Sequence, residues 1–188
     1  KKMKKYVDFS PVCPEIEIGM GIPREPIQIV ENQGGRVLYQ PSTKKDYSNS
    51  MNAFSEKYLY SIKSVDGFLL KSKSPSCGII STKIFPDYKK NNDSIKMGEG
   101  LFTSKIIHFF PDHPKEEEEQ LNNRYIREHF LTSIFTLAEF RKIKYFKQLY
   151  NFHEKHKYLF MTYNQDIMKK IGIIITNINN LIFEEVKE

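Results

Sequence analysis

The chain has 188 residues, 39% of them hydrophobic and 28% charged, which is enough to bury the core of one large domain or two small ones. This balance excludes the collagen-like, low-complexity and wholly disordered classes of protein. The formal net charge of +6 mildly favours anionic partners such as nucleotides or RNA. The abundance of Lys, Asn and Ile and the absence of Trp leave a compositional bias of the source open as another explanation of that charge.

The sequence predicts no membrane-spanning segment. Its longest apolar stretches, residues 171–175 and 106–110, are far shorter than the roughly 18 residues that a membrane span needs. The basic residues at the start are not followed by the long apolar segment of a signal peptide. We therefore expect a cytoplasmic protein without a structural disulfide between Cys13 and Cys77. The abrupt start, and an apolar run that almost reaches Glu188, are typical of a chain truncated at both ends.

The first half of the chain has the alternation of strands and helices that is typical of an α/β domain. Residues that favour β-structure predict a strand over 5–12 that ends just before Cys13. Apolar residues at helical spacing predict an amphipathic helix over 52–65, and the short apolar run 68–70 predicts a buried strand that leads into the loop of Cys77. Because functional residues of open α/β sheets gather at the carboxyl ends of strands, both cysteines are expected at such ends.

Further elements are predicted around this strand, helix and strand. Two small strands are expected at 27–30 and 36–39 around a turn, and another strand or hairpin arm at 79–85. A helix is expected over 98–110, where a proline follows. The four acids of residues 116–119 are interpreted as the negatively charged first turn of the next helix, in preference to a metal site.

The second part of the chain is predicted to be all helical. Apolar residues keep helical spacing over 123–144, 145–161 and 164–183. All five histidines lie in the helical regions. His153 and His156 could share a helix face, but no carboxylate or third His completes a metal set, so packing or a solvated surface position explains the histidines better. The mixture of aromatic and basic residues over 152–165 is compatible with contact to nucleic acid, although an ordinary aromatic helix interface explains it as well.

The two cysteines allow three interpretations. Two of the thiolate ligands of a 4Fe–4S cluster could come from facing strand ends, and a cluster with three protein ligands leaves one iron open. Two ordinary, half-buried thiols are the simpler alternative. Zinc normally takes four ligands, and neither Cys-x2-Cys nor a His pair near a cysteine is present. The spacing of Cys13 and Cys77 alone does not choose among them.

The residues near the two cysteines suggest binding and proton transfer. Glu15, beside the first cysteine, is a candidate for moving protons, although a carboxylate is also compatible with a solvated surface position. Ser74 and Ser76 offer hydroxyl groups and backbone amides that suit a sulfide or another anion. Arg24 and Lys71 bring positive charge toward a thiolate or a substrate.

Two long motifs surround the cysteines. One is Pro-Val-Cys-Pro-Glu-Ile-Glu-Ile-Gly-Met-Gly-Ile-Pro-Arg-Glu-Pro at 11–26, and the other is Asp-Gly-Phe-Leu-Leu-Lys-Ser-Lys-Ser-Pro-Ser-Cys-Gly at 66–78. With these motifs the chain closely resembles the thiouracil desulfidase (TudS-like) family. The segments 98–102 and 123–130 also fit, so the resemblance covers roughly residues 1–130.

The helical part is similar to another family. From about Leu131 onward, with residues 152–165 as the marker, the chain looks like a YbgA-type helical domain, which is often fused behind the first. We therefore predict a TudS-like domain over 1–130, lacking its amino-terminal part, and a YbgA-like domain over 131–188, lacking its carboxyl-terminal part.

The resemblance implies a Rossmann-like α/β domain that holds a 4Fe–4S cluster with three cysteines. Cys13 and Cys77 match the two later cysteines of the family. The first one, expected upstream, has no counterpart in this sequence. The implied activity is the removal of sulfur from a thiolated nucleobase such as 2-thiouracil, which we expect of the full-length protein rather than of these 188 residues alone.

The implied mechanism involves no net redox change. The open iron would act as a Lewis acid and soft acceptor of the sulfur, and water or hydroxide would then attack the activated ring carbon. Glu15 is the first choice for proton transfer, Ser74 and Ser76 for positioning the substrate or cluster, and Arg24 and Lys71 for substrate binding. The alternative hypothesis is a non-catalytic module that binds nucleic acid or protein.

Overall fold

The main sheet is built around Ile29 and Val30, which are fully buried in the computed structural model of residues 2–32, 34–88 and 96–177. The strands in these ranges are β1 (Gln28–Asn32), β2 (Gly35–Gln40), β3 (Lys45–Asp46), β4 (Phe68–Leu70), β5 (Thr82–Phe85), β6 (Lys96–Gly98) and β7 (Lys115–Glu117). The main sheet has the order β3-β2-β1-β5-β6, and β4 pairs with β7 in a second sheet. β1 and β2 are antiparallel, which confirms the two strands predicted there.

Two pairs of strands are parallel, β1 with β5 and β4 with β7. β4 confirms the buried strand predicted at 68–70, and β5 confirms the one predicted within 79–85. The prediction that the acids of 116–119 begin a helix is wrong, because this segment lies beside β4 with Glu117 opposite Leu70. Backbone hydrogen bonds to the neighbouring strand satisfy these residues, so they do not need a helix.

The helices of the described ranges are α1 (Pro14–Glu17), α2 (Ser48–Ser61), α3 (Leu101–Phe109), α4 (Arg124–Arg141), α5 (Phe146–Tyr163) and α6 (Gln165–Thr176). α2 and α3 confirm the helices predicted over 52–65 and 98–110, with shifted ends. α2 begins earlier than predicted because the Asp46 carboxylate accepts a hydrogen bond of 2.7 Å from the backbone N–H of Ser48.

The strand predicted over residues 5–12 is wrong. A short 3-10 helix covers Lys2–Lys5, and irregular backbone leads from there to Cys13. Pro11 and Pro14 lack the N–H that a strand ladder requires. Tyr6 and Phe9 are 74% and 44% exposed, so the aromatic side chains of this segment do not pack into a core.

One apolar core connects the main sheet, α2 and α3. Its buried members are Ile29, Leu38, Met51, Leu59, Leu70, Ile84, Leu101, Phe102 and Ile106. The Cys77 side chain is half-buried and packs against this core. The loop that follows β4 is therefore packed against the apolar core of this unit.

The chain divides into two compact units, Lys1–Leu131 and Thr132–Glu188. The first combines strands with helices and the second is helical, which confirms an α/β domain followed by an all-α region. α4, α5 and α6 confirm the three helices predicted for the second part, although residues 178–183 of the last prediction lie outside the described ranges.

The helical unit has a small core of its own, formed by Ile143, Leu149, Phe152 and Ile175. No helix in the described ranges has both the length and the apolar character that crossing a membrane requires.

Candidate functional site

Cys13 occupies the N-cap position of α1. Its carbonyl accepts hydrogen bonds from the backbone N–H groups of Ile16 and Glu17, at 3.0 and 3.1 Å. Pro14 suits the first helical position, because its missing N–H would have no partner there. This short turn directs Glu15 inward, where it is only 5% exposed. The Cys13 thiol donates a hydrogen bond of 3.2 Å to Oε2 of Glu15.

Cys77 lies in a tight loop after β4. The Ser74 hydroxyl oxygen accepts hydrogen bonds from the backbone N–H groups of Ser76 and Cys77, at 3.2 and 3.1 Å. The Ser74 carbonyl accepts two more, from the Gly78 N–H at 2.9 Å and from the Thr82 hydroxyl at 2.8 Å. A Cβ at residue 78 would lie 2.2 Å from the Thr82 hydroxyl oxygen, so this closure requires glycine.

The first turn of α3 fixes the other side of this loop. The first N–H groups of a helix have no partner inside the helix. Here the N–H of Leu101 donates to the Pro75 carbonyl at 3.2 Å, and those of Phe102 and Thr103 donate to the Ser76 carbonyl at 3.0 and 3.1 Å. The backbone around Cys77 is therefore held by both Ser74 and a helix end.

Gly100, just before α3, permits this close approach. A Cβ there would lie 2.4 Å from both the carbonyl carbon and the carbonyl oxygen of Ser76, which are backbone atoms and cannot rotate away. We expect Gly100→Ala to lower the free energy of unfolding by about 1–3 kcal/mol, as overpacking does. Gly98→Ala is the matched control and should cost less, because its Cβ would meet the end of the Ile84 side chain at 2.8 Å rather than backbone atoms. Urea unfolding measures both, and an equal loss would contradict this account.

The two cysteines share one site through Glu15 and Ser74. The Ser74 hydroxyl donates to Oε1 of Glu15 at 3.4 Å, while the Cys13 thiol donates to Oε2. Arg24 Nη2 lies 3.6 Å from the same Oε2 and 3.8 Å from the Cys13 sulfur. The structure thus brings Cys13, Glu15, Arg24, Ser74 and Cys77 together, five of the residues that the sequence singled out.

The environment of Cys77 keeps its sulfur protonated. Burial and the negative charge of Glu15 raise the pKa of the Cys77 thiol to about 12, and the hydrogen bond from Ser74 offsets only part of this. A thiol of this kind is a poor nucleophile at neutral pH, since the thiolate is the reactive form.

Alkylation measures this effect directly. At pH 8 and without metal, iodoacetamide should label Cys77 about 10³-fold more slowly than a cysteine in an unstructured peptide, because its pKa lies about three units higher. The rate should rise with pH up to about 12. A rate equal to that of the peptide at pH 8 would show that the Cys77 thiol is not buried in this way.

Two further residues that the sequence predicted for the site, Lys71 and Ser76, are not joined to Glu15 by a hydrogen bond or ion pair in the described contacts. Lys71 is 69% exposed and forms an ion pair with Glu118, whose hydrogen bond raises the pKa of Lys71. Its ammonium group is therefore directed to the acidic segment rather than to Glu15. Ser76 is fully buried, and its hydroxyl has no hydrogen-bond partner within the part of the chain that the structure describes.

The acidic residues of β7 and the segment after it are the part of the site region that the sequence did not reveal. Glu117 is 1% exposed, and it accepts hydrogen bonds from residues 79–81, directly after Cys77 and Gly78. Glu118 and Glu119 form ion pairs with Lys71 and Lys73, which lie in the loop between β4 and Cys77. In the sequence, a run of acids before a helical segment gives no signal of this role.

The two free thiols are chemically suited to ligate iron in a 4Fe–4S cluster, because such clusters are held by cysteine thiolates. Both cysteines are free, half-buried and joined through Glu15 and Ser74. The partnerless hydroxyl of Ser76, next to Cys77, leaves a donor available for an acceptor such as sulfide. In the described ranges, no group of three or more His, Cys, Asp or Glu side chains is arranged to hold a metal ion.

Comparison with known families matches the part of the chain that carries this site. A family model for 2-thiouracil desulfurase matches residues 1–118, more than half of the chain, and this span contains both cysteines. Comparisons with curated proteins and with solved structures give no match. The matched span ends before α4, so the YbgA-like character of the helical part stays a prediction. The match supports a desulfidase-like function and a thiolated nucleobase as substrate, and the chain belongs to the 2-thiouracil desulfurase family.

Proposed function

We propose that the chain is the cysteine-bearing part of an iron-sulfur desulfidase that hydrolyses a thiolated nucleobase such as 2-thiouracil. The observation that carries this proposal is the buried Glu15 carboxylate, which bonds to the Cys13 thiol on one oxygen and to the Ser74 hydroxyl on the other. Ser74 in turn contacts the backbone of Cys77. A carboxylate that can carry protons thus contacts Cys13 directly and Cys77 through Ser74.

The reaction is balanced without an oxidant or a reductant. One water molecule adds its oxygen to the ring carbon that carries the sulfur, the carbon–sulfur bond breaks, and the products are the oxo base and hydrogen sulfide. Two protons move from water to the departing sulfur. A general acid–base group near both positions is therefore what the chemistry requires of the protein.

Cys13 and Cys77 would hold two corners of a 4Fe–4S cluster, with a third thiolate supplied from outside these 188 residues. When bound, the cluster supplies a soft, Lewis-acidic iron with affinity for the sulfur of the substrate. Cluster binding requires both thiols to lose their protons, and the environment of Cys77 opposes this loss until a cation is present.

The remaining residues have separate tasks in this proposal. Glu15 accepts a proton from the attacking water and returns one to the leaving sulfur. Ser74 fixes the Glu15 carboxylate, while the free hydroxyl of Ser76 donates to sulfide. Arg24 is 29% exposed at the side chain and can donate to the exocyclic carbonyl oxygen of the substrate. Lys71 would first have to leave Glu118.

The direct test is a product assay on the full-length protein, reconstituted anaerobically with iron and sulfide. With 2-thiouracil we expect uracil and sulfide in equal amounts, and no product from the protein before reconstitution. In water labelled with oxygen-18, uracil should gain one labelled oxygen. The proposal would be overturned if the protein, fully loaded with iron and sulfide, released no sulfide from thiolated pyrimidine bases or from their nucleosides.

A second candidate function concerns the helical unit, which we propose could bind nucleic acid. Between residues 132 and 177 there are eight Lys and Arg against three Asp and Glu. Tyr145, just before α5, is 55% exposed, and Tyr158 within α5 is 73% exposed. Their rings offer surfaces on which bases could stack, beside the Lys and Arg side chains of this unit. Fluorescence anisotropy with single-stranded RNA tests this idea: binding that weakens steeply with salt supports it, and no binding at low salt contradicts it.

A further inference from the structure

Glu117 is a buried carboxylate to which the mechanism above gives no role. It is 1% exposed, at the end of β7. Its Oε1 accepts hydrogen bonds from the backbone N–H groups of Ile79, Ile80 and Ser81, at 2.6, 3.1 and 3.2 Å, and from the Ser81 hydroxyl at 2.7 Å. Four donors on one oxygen form an anion-binding nest that only an ionised acceptor fills well.

The nest begins two residues after Cys77 and closes the loop that carries it. The Ser81 hydroxyl, which donates to Glu117, accepts a hydrogen bond of 2.6 Å from the Lys73 N–H on the opposite side of the loop. Next to it, the Thr82 hydroxyl donates to the Ser74 carbonyl. Glu117 therefore connects both flanks of the loop to β7.

Charge strengthens this connection. Burial alone would raise the pKa of Glu117, but the hydrogen bonds from Ser81, Ile79 and Ile80 outweigh it and lower the pKa. The carboxylate is thus ionised at neutral pH, and hydrogen bonds to a charged acceptor are stronger than those to a neutral one.

We propose that Glu117 is a positioning residue for Cys77: its carboxylate fixes backbone residues 79–81 and so holds the Cys77 thiol buried beside Glu15. The catalytic meaning of this position rests on the proposed function, whereas the clamp itself does not. Glu117 acts through the backbone and touches neither cysteine in the described contacts.

Alkylation of the metal-free protein tests the clamp. In Glu117→Gln, the rate at which iodoacetamide labels Cys77 should rise at least about tenfold, because weakened hydrogen bonds let the loop open more often. The rate at Cys13 should change by less than about twofold, since the Cys13 thiol bonds to Glu15 of its own helix, whereas the Glu117 hydrogen bonds go to residues 79–81. Mass spectrometry of the two labelled peptides separates the rates, and circular dichroism confirms that the variant is folded.

Glu116→Gln is the matched control, because it removes the same charge from the same strand. The Glu116 carboxylate accepts from the backbone N–H of Glu117 rather than from the loop, so both cysteines should keep their rates. A Cys77 rate unchanged in folded Glu117→Gln, or a rise shared equally by Cys13, would overturn the proposal. Should Glu117→Gln not fold, Ser81→Ala removes the bridging hydroxyl, and an unchanged Cys77 rate there would overturn it as well.

Iron binding then separates this inference from the proposed function. If Cys77 labels faster in Glu117→Gln and the variant also loses iron faster to a chelator, the clamp supports the cluster site. If Cys77 labels faster but no form of the full-length protein binds iron, the clamp stands and the iron-sulfur proposal fails.

Discussion

Replacing Glu15 with Gln is expected to lower the turnover of thiolated substrate about 10²–10⁴-fold, the range that general acid–base catalysis contributes. Gln has nearly the same shape and can still accept from Ser74, but it cannot take up a proton at neutral pH. The loss should therefore appear in kcat rather than in KM. Substrate decay and sulfide release, measured on the reconstituted full-length protein, give both constants.

Glu17→Gln is the matched control for this experiment. Glu17 lies in the same short helix, two residues further on, and its side chain is exposed. Its replacement should leave turnover within about twofold, since exposed charges are only weakly coupled to a site. If Glu15→Gln keeps full kcat with an intact cluster, another group moves the protons.

The second large effect is expected at the cysteines. Cys13→Ser and Cys77→Ser should each reduce both bound iron and turnover to the level of protein that was never reconstituted, because a serine oxygen is a much harder ligand than a thiolate. The chain has only these two cysteines, so each variant removes half of its thiols. Iron analysis after desalting measures the loss.

Each cysteine variant also checks the other. If both sulfurs hold one cluster, the two variants should lose iron and turnover to the same extent, although the two side chains lie in separate elements of the fold. Full turnover in Cys77→Ser would contradict the shared site and would leave Cys77 as a buried thiol of the core.

Much of the fold could be predicted from the sequence where apolar residues set a clear pattern. One core takes apolar residues from β1, β2, the strand 68–70 and the helices α2 and α3. The strand predicted over 5–12 was wrong because β-forming residues make a strand only when a neighbouring strand pairs with them. This segment has two prolines in or next to it, and its aromatic rings are exposed.

The site was predictable where function depends on neighbours in the sequence. Glu15 lies two residues from Cys13, and Ser74 lies three residues from Cys77, so local motifs revealed them. Glu117 lies 38 residues from Ile79, and the parallel pairing of β7 with β4 brings them together. No local pattern in a run of acids indicates which backbone it will meet in the folded protein.

The proposed desulfidase activity depends on Cys13 and Cys77 holding one cluster. The most direct test is the anaerobic determination of iron and acid-labile sulfide in this chain and in a longer version that carries a third cysteine. We expect about four irons and four sulfides in the longer version, with absorption at roughly 400 nm. These 188 residues alone should bind substantially less iron and sulfide. A longer version that binds no iron would contradict the iron-sulfur site.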